Sequence, residues 1–292
     1  MKKTAIITIL TLIIFLSQKG FCQKDYKEYF NDGEDKFKKG DYNGAITDYS
    51  MSILLKPNFV FSYNSRGLAY SVLGQSDDAI TDFNSAIKLD AKYPAAYFNR
   101  AVAYSQLMKF DKAFPDFDAA INLKPDYSDA YNGRGSAYYE MKAYNDAIKD
   151  FNKCIELTPK NYIPYLNRGK TYFMLKMYNL ASKDFDNAFA LNPVNESASE
   201  WKSKTLFETG DYKSALEIIN KLLSVNSGKA DYFIERGLIY IKLDDSAKAC
   251  KDFEKANYLT NKSADEYIEN TAEKKQKNNK QSAMKIVNSS VF

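Results

Sequence analysis

The sequence predicts an all-α protein built from repeated helix pairs, and three periodic features carry this prediction. Alanine returns every 34 residues without insertion or deletion, at Ala45, Ala79, Ala113, Ala147, Ala181, Ala215 and Ala249. A small residue stands twelve positions before each alanine, and a large apolar residue stands four positions after it. Units with a period in this range cannot bury their own apolar faces, so neighbouring units must stack on one another.

Each unit is predicted to contain two helices joined by a turn. Tyr63, Gly67 and Tyr70 mark the first helix of the second unit, because spacings of three and four residues place side chains on one helix face. The periodic alanine, with the aromatic residue four positions later, marks the second helix in the same way. A proline or polar turn such as Lys56-Pro57-Asn58 follows that helix. The predicted order within a unit is therefore helix, turn, helix, turn.

The small residue of the first helix is a glycine in five of the seven units. Glycine in a helix interior costs about 1 kcal/mol relative to alanine, so its repetition needs a physical reason. We predict that the two helices approach too closely there for a larger side chain. The periodic alanine of the second helix is expected to be the facing surface, with the aromatic residues filling the space on either side.

The motifs are those of a known repeat family. The segment from Tyr131 to Tyr138, followed by the segment from Tyr144 to Phe151, resembles the tetratricopeptide repeat. The resemblance covers seven units, at 26–59, 60–93, 94–127, 128–161, 162–195, 196–229 and 230–263. It implies a right-handed α-solenoid of seven tetratricopeptide helix-turn-helix repeats, in which the first helices line a concave groove that usually holds a peptide or a partner's helix. Residues 264–292 are predicted to form a C-terminal capping helix, over about 264–276, and a polar basic tail.

A charge pattern accompanies the repeat. A basic residue usually precedes the small residue of the first helix, and an aspartate usually precedes the aromatic residue of the second. We predict that they pair, either within one repeat, as Arg100 with Asp116, or across a boundary, as Asp82 with Arg100. Asp48 has no arginine in its own repeat but Arg66 in the next, which favours pairing across the boundary. An anion-binding ladder is the alternative.

Candidate partner-binding residues follow from the resemblance, since they lie on the first helices away from the Tyr-Gly-Tyr face. Asparagine recurs there, and its amide can bind the backbone of an extended peptide; the aromatic residues are typical interface anchors. The alternative is that some of the aromatic residues pack between repeats. The candidates are Asn31, Asn64, Phe98, Asn99, Asn132, Tyr139, Asn167, Lys170, Phe173, Trp201, Lys204 and Phe207.

Residues 1–22 are predicted to be a signal peptide. Lys2 and Lys3 precede a mostly apolar run over 5–16, which is too short to span a bilayer comfortably. We place the cleavage after Cys22, with lipidation of Cys22 and an uncleaved anchor as alternatives. The protein is then exported and periplasmic or cell-envelope associated, with membrane contact only through its N-terminus.

Composition argues against several classes of function. The chain has no histidine, which removes the usual general base and the commonest metal ligand, so we expect no enzyme, cofactor or metal. The repeat array from 23 to 270 is formally about −3, since the excess of lysine lies in residues 1–22 and 271–292, and this argues against nucleic-acid binding. Cys154 and Cys250 lie about three repeats apart and cannot form a disulfide within one array. Both are predicted to be small buried apolar residues.

The sequence thus predicts a protein–protein interaction scaffold of the cell envelope that binds a peptide or partner helix in its groove. The alternative is a structural or assembly factor that acts through its convex surface or by self-association. Such a factor could also associate with the membrane through its N-terminus. Repeat six, 196–229, departs most from the others, and is either a degenerate unit that still packs or a local hinge or partner site. The sequence leaves the partner and the oligomeric state open.

Overall fold

A computed structural model describes residues 24–260. The predicted signal peptide, the capping helix and the basic tail lie outside the described residues. Within 24–260 the chain forms fourteen α-helices and no strand. The helices are α1 (Tyr26–Lys38), α2 (Tyr42–Leu55), α3 (Val60–Val72), α4 (Ser76–Leu89), α5 (Pro94–Gln106), α6 (Phe110–Leu123), α7 (Ser128–Glu140), α8 (Tyr144–Leu157), α9 (Tyr162–Met174), α10 (Tyr178–Leu191), α11 (Glu196–Thr209), α12 (Tyr212–Val225), α13 (Ala230–Lys242) and α14 (Ser246–Thr260).

The helices alternate between two roles. The odd-numbered helices, here called A helices, begin each repeat, and the even-numbered helices, here called B helices, complete it. Two compact units divide the chain, one up to Ala137 and one from Tyr138. Inside each unit, helices that follow one another along the chain pack together. The A helices of adjacent repeats are also in contact, for example α3 with α5 and α9 with α11. The predicted all-α helix-pair architecture is confirmed.

The core lies between the A and B helices and follows the 34-residue period. The periodic alanines of the B helices are buried, and so are the large apolar residues four positions later, from Tyr49 to Phe253. Inside each compact unit, the B helices thus present one buried stripe to the A helices that pack against them. Repetition of this stripe builds the core of each unit from helix pairs that are too small to have one alone.

The glycine of the A helix lies against the aromatic ring that stands four residues after the periodic alanine. A Cβ added to Gly67 would lie 2.6 Å from the Phe83 ring, and one added to Gly33 would lie 2.6 Å from the Tyr49 ring. The predicted close approach is therefore confirmed, and the aromatic ring is the group nearest to the glycine. In repeat six Ser203 replaces the glycine, and the smaller Ile219 replaces the ring that would have met it.

The turn between the A and B helices carries one left-handed residue in every repeat. Gly40, Gly74 and Gly210 adopt this conformation with φ of 81°, 74° and 86°. The other four repeats place a non-glycine residue at the same position, namely Met108, Lys142, Lys176 and Asp244. A left-handed conformation disfavours residues with a Cβ, so these four turns are strained relative to the three glycine turns.

The two cysteines differ in burial. Cys154 is fully buried on α8, as predicted, whereas Cys250 on α14 is exposed, so the prediction for Cys250 was wrong. Cys250 follows the buried Ala249 and stands between the exposed Lys248 and Lys251, on the outer side of its helix. The repeat position alone predicted burial because aliphatic residues occupy it in most other repeats.

Candidate partner-binding site

The arginines of the A helices pair with aspartates of the same repeat. Arg66 donates from Nε and Nη2 to the two carboxylate oxygens of Asp82, each at 2.8 Å. The same two-bond pairing joins Arg100 to Asp116, Arg168 to Asp184 and Arg236 to Asp252. The predicted pairing is correct, and the preference for a partner across the repeat boundary was wrong. Asp48 likewise pairs within its own repeat, with Lys36 at 2.6 Å.

The third arginine nitrogen does cross the boundary. Nη1 of Arg66 donates to Ser50 at 2.9 Å, and Nη1 of Arg236 donates to Asn220 at 2.9 Å, in each case 16 residues earlier and in the preceding repeat. Asn84, Asp118 and Asn152 accept the same bond from the arginine of the following repeat. The guanidinium groups of Arg66, Arg100, Arg168 and Arg236 therefore tie their own helix pairs together and fix them to the preceding repeat. This engagement favours a structural role over an anion-binding ladder.

Five of the predicted binding residues come together on the A helices of the second unit. Phe173 on α9 packs edge-on against Trp201 on α11, with ring centroids 5.3 Å apart, and Trp201 also stacks on the buried Phe185 at 6.3 Å. The ammonium groups of Lys204 and Lys170 lie 5.0 and 5.7 Å from the centre of the Trp201 ring. Phe207 follows one turn later on α11 and packs on Tyr212. We call the surface of α9, α11 and α13 on this side the A face.

Ion pairs connect α11 to α13 beside this cluster. Glu200 accepts from Lys204 at 2.6 Å and from Lys229 at 2.9 Å. Tyr232 on α13 donates to Glu196 at 2.9 Å. Burial opposes ionisation of Glu200, but the two ammonium groups outweigh it and hold the pKa of Glu200 below its usual value. Burial lowers the pKa of Lys170.

A cavity of about 400 Å³ opens on the A face between α9, α11 and α13. Its walls are mainly apolar, and three of its lining residues are acidic. The lining residues are Phe173, Lys204, Phe207, Glu208, Asp231, Ile234, Glu235 and Leu238. We call this cavity the A-face pocket.

Glu235 is the unusual group of the A-face pocket. Its Oε1 is buried and has no hydrogen-bond partner among the described residues. Burial raises the pKa of Glu235 to about 7, because the carboxylate has lost water without gaining a full set of donors. A buried acceptor without a donor is costly, and a donor that reached this oxygen would relieve the cost.

The remaining predicted residues are dispersed, and several of them pack inside the array. Asn64 on α3 is buried and accepts a hydrogen bond from Asn99 on α5 at 2.9 Å, so these two amides bind one another. Phe98 packs on Phe117 and Tyr127, with centroid distances of 6.3 and 5.2 Å. Tyr139 packs on Tyr144 at the A–B turn. Asn31 is exposed on α1, and Asn132 and Asn167 are partly buried on α7 and α9.

The sequence prediction missed Ile234, Glu235 and Leu238, although the repeat register identifies them. Glu235 occupies the position of Trp201 in the preceding repeat, and Leu238 occupies that of Lys204. The candidate set ended at repeat six, so the same positions in repeat seven were omitted. Extending the register by one repeat gives the far wall of the A-face pocket.

Two further observations concern the described part of the chain. No group of three or more histidine, cysteine or acidic residues within 24–260 has an arrangement that could hold a metal ion. None of the helices in this range is both long enough and apolar enough to cross a bilayer.

Helix pairs repeated every 34 residues, with an open A face, define a helical-repeat scaffold. The tetratricopeptide repeat model matches residues 94–127 and 128–161, and two further models of the same repeat match 72–107 and 230–263. The chain belongs to the tetratricopeptide repeat family. Proteins of this architecture serve as scaffolds for protein–protein interaction, and this chain has the corresponding fold.

Solved structures share the fold of this chain. A tetratricopeptide repeat protein from Parabacteroides merdae is 23% identical, with 80% of this chain and 93% of that chain covered and a TM-score of 0.62. PilW, a widely conserved type IV pilus biogenesis factor, is 22% identical over 73% of this chain and 98% of its own, with a TM-score of 0.67. YrrB, a tetratricopeptide repeat protein with an unusual peptide-binding site, is 24% identical over 61% and 92%, with a TM-score of 0.52. No curated protein sequence matches the chain.

Proposed function

We propose that the protein is a non-enzymatic adaptor of the cell envelope that holds a peptide or a partner's helix on the A face. The observation that carries the proposal is the A-face pocket, where apolar walls adjoin the acidic residues Glu208, Asp231 and Glu235. Apolar pockets with a few convergent polar groups are the usual form of a binding site. The family fold and the peptide-binding site of YrrB support a polypeptide as the ligand.

The charges of the pocket favour a basic side chain of the partner. Glu208, Asp231 and Glu235 contribute carboxylates, whereas Lys204 is the single basic residue among the lining residues of the described structure. A lysine or arginine of the partner fits this arrangement, because its aliphatic stem covers Phe173 and Phe207 while its charged end donates to Glu235. Binding of such a group would lower the pKa of Glu235 and release a proton at neutral pH.

The envelope assignment rests on the predicted signal peptide at 1–22. The fold that the chain shares with PilW, a pilus biogenesis factor, is consistent with such a location. An assembly factor that acts through its outer surface or by self-association is the second candidate. A cavity beside Ser199 of repeat six, between α10, α11 and α12, supports this second candidate.

The proposal is tested by affinity capture from envelope extract with the chain from residue 23 to 292. The variant combines Phe173→Ala and Phe207→Ala, which remove both aromatic walls of the A-face pocket. Tyr258→Ala is the matched control, because Tyr258 is 77% exposed on α14 and lies outside the pocket. Partners that bind the parent and the control but not the folded double variant support the adaptor. Partners that bind all three proteins equally would contradict it and favour the assembly factor.

A further inference from the structure

Repeat six has a cavity where the other repeats have an aromatic ring. Three residues after the first residue of each A helix, six of the seven repeats carry tyrosine or phenylalanine, namely Tyr29, Tyr63, Tyr97, Tyr131, Tyr165 and Phe233. Repeat six has Ser199 at this position. A cavity of about 530 Å³ opens beside Ser199, between α10, α11 and α12. We call it the repeat-six cavity.

The aromatic rings at the position of Ser199 in the other repeats show which contacts a ring makes there. In five repeats the arginine three residues later lies over the ring, with its guanidinium carbon 5.5 to 5.9 Å from the ring centre. The hydroxyl of Tyr63 donates to the carbonyl of Pro57 at 3.1 Å, and that of Tyr165 donates to the carbonyl of Pro159 at 3.3 Å. A phenol ring is therefore held by apolar walls, by a cation over its face and by a carbonyl at its hydroxyl.

Each of these features recurs in repeat six without the ring. Pro193 precedes Ser199 by six residues, as Pro159 precedes Tyr165, and Lys202 follows Ser199 by three residues, as Arg168 follows Tyr165. Lys202 pairs with Asp186 of the preceding repeat, so its stem crosses the repeat boundary as the arginines do. Pro193, Lys202 and Asp186 all line the cavity.

The walls of the repeat-six cavity are more apolar than those of its counterparts. Ile218 stands where most repeats have the aspartate that pairs with arginine, and Leu222 stands where most have a small residue. Phe189, Val194 and Val225 also line the cavity and are 44%, 89% and 78% exposed. Apolar surface of this extent beside an unfilled ring position is typical of an interaction site.

We infer that the repeat-six cavity binds a tyrosine side chain of a partner polypeptide. The phenol ring takes the place that Ser199 leaves open, contacts Ile218 and Leu222, and donates its hydroxyl proton to the carbonyl of Pro193. The site shares no lining residue with the A-face pocket and lies on the other side of α11. A partner held on the A face can therefore be contacted independently at the repeat-six cavity.

The matched variant for the test is Ser199→Tyr, which supplies the ring from the chain itself, as the neighbouring repeats do. Ser199→Ala is the control that leaves the cavity open. The probe is N-acetyl-tyrosinamide, titrated into the full chain with ¹³C-labelled isoleucine methyl groups and observed by NMR. A ligand of this size binds a single pocket with roughly millimolar affinity.

We expect the probe to shift the Ile218 methyl signal in the parent and in Ser199→Ala, with intermolecular NOEs from its ring to that methyl group. Ser199→Tyr should abolish the shift and raise the melting temperature. N-acetyl-phenylalaninamide, which lacks only the hydroxyl, should bind several-fold more weakly. The NOEs test the parent directly, so the proposal stays testable even if Ser199→Tyr folds poorly.

Three results would overturn the inference. The first is no response of Ile218 in the parent, or an equal response in a folded Ser199→Tyr protein. The second is equal binding of the phenylalanine and tyrosine probes, which would remove the role of the Pro193 carbonyl. The third is binding that begins only when residues 261–292 are deleted, which would assign the cavity to the chain's own C-terminal segment.

Discussion

Arg100 and Asp116 form a two-bond ion pair between α5 and α6, with Nε and Nη2 of the arginine 2.7 and 2.6 Å from the carboxylate oxygens. The aspartate is buried, and the arginine side chain is largely covered. Its Nη1 also donates to Asn84 of the preceding repeat at 2.5 Å. The pair thus joins the two helices of one repeat, and the third bond joins that repeat to its neighbour.

Replacing Arg100 by leucine should lower the free energy of unfolding by about 2–4 kcal/mol, because the buried carboxylate of Asp116 loses its partner. Urea unfolding followed by circular dichroism measures this change. The double variant Arg100→Leu with Asp116→Leu should lose less than the single variant, since no charge is then left unpaired. A double variant that is as unstable as the sum of the two single variants would argue against a direct interaction.

Gly67→Ala should destabilise the protein by up to about 2 kcal/mol, because overlap of the new methyl group with the Phe83 ring, 2.6 Å away, outweighs the gain of about 1 kcal/mol in helix propensity. Repeat six suggests the compensating change, since it combines Ser203 with Ile219 at the same two positions. Adding Phe83→Ile to Gly67→Ala should therefore recover part of the loss, as measured by the urea midpoint. Phe83→Ile alone should be destabilising. If its addition to Gly67→Ala recovers no stability, the Phe83 ring does not limit the size of residue 67.

Met108→Gly should stabilise the protein by about 0.5–1 kcal/mol, because residue 108 has φ of 56° and glycine accepts this conformation without strain. Gly74→Ala is the reciprocal change at the same turn of another repeat and should destabilise by about 1 kcal/mol. Thermal unfolding compares both with the parent. Opposite signs to those expected would mean that the turns are not strained as described.

Glu235 should make stability depend on pH below neutrality. The unfolded carboxyl loses its proton near its ordinary pKa of 4.5, whereas the folded one keeps it until about pH 7. Since the unfolded state then binds fewer protons, stability falls as pH rises from about 4.5 to about 7 and is level above, with a total of up to about 3 kcal/mol. Glu235→Gln should remove this component, so the difference in unfolding free energy between variant and parent should change over that range. A constant difference from pH 4.5 to 7 would contradict the shifted pKa.

The helix pairs could be predicted from the sequence because the 34-residue period, the glycine and the aromatic residue all result from the same packing of the A helix on the B helix. The family resemblance and the repeat register together placed five residues on a common surface, and in the structure their side chains contact one another or line the same pocket: Lys170, Phe173, Trp201, Lys204 and Phe207. Register is sufficient for such predictions because equivalent positions in a repeat array have equivalent surroundings.

Other features could not be read from the pattern. Arg100 stands 16 residues before Asp116 and 18 after Asp82, so spacing alone did not determine which aspartate pairs with it. The exposure of Cys250 depends on which side of α14 is covered, and the mutual hydrogen bond of Asn64 and Asn99 depends on the approach of α3 to α5. The repeat-six cavity could not be predicted from the sequence either, because neighbouring side chains can rearrange and fill the space that a serine leaves at an aromatic position.

The most direct test of the adaptor is site-specific photo-crosslinking in envelope extract. A photoreactive phenylalanine analogue is placed at Phe207, on the wall of the A-face pocket, and in a second protein at Tyr258, outside it. The account predicts a covalent adduct with one partner polypeptide from position 207 that is absent from position 258 and is lost when Glu235→Gln is added. Adducts that are the same from both positions, or that appear only from position 258, would contradict binding on the A face.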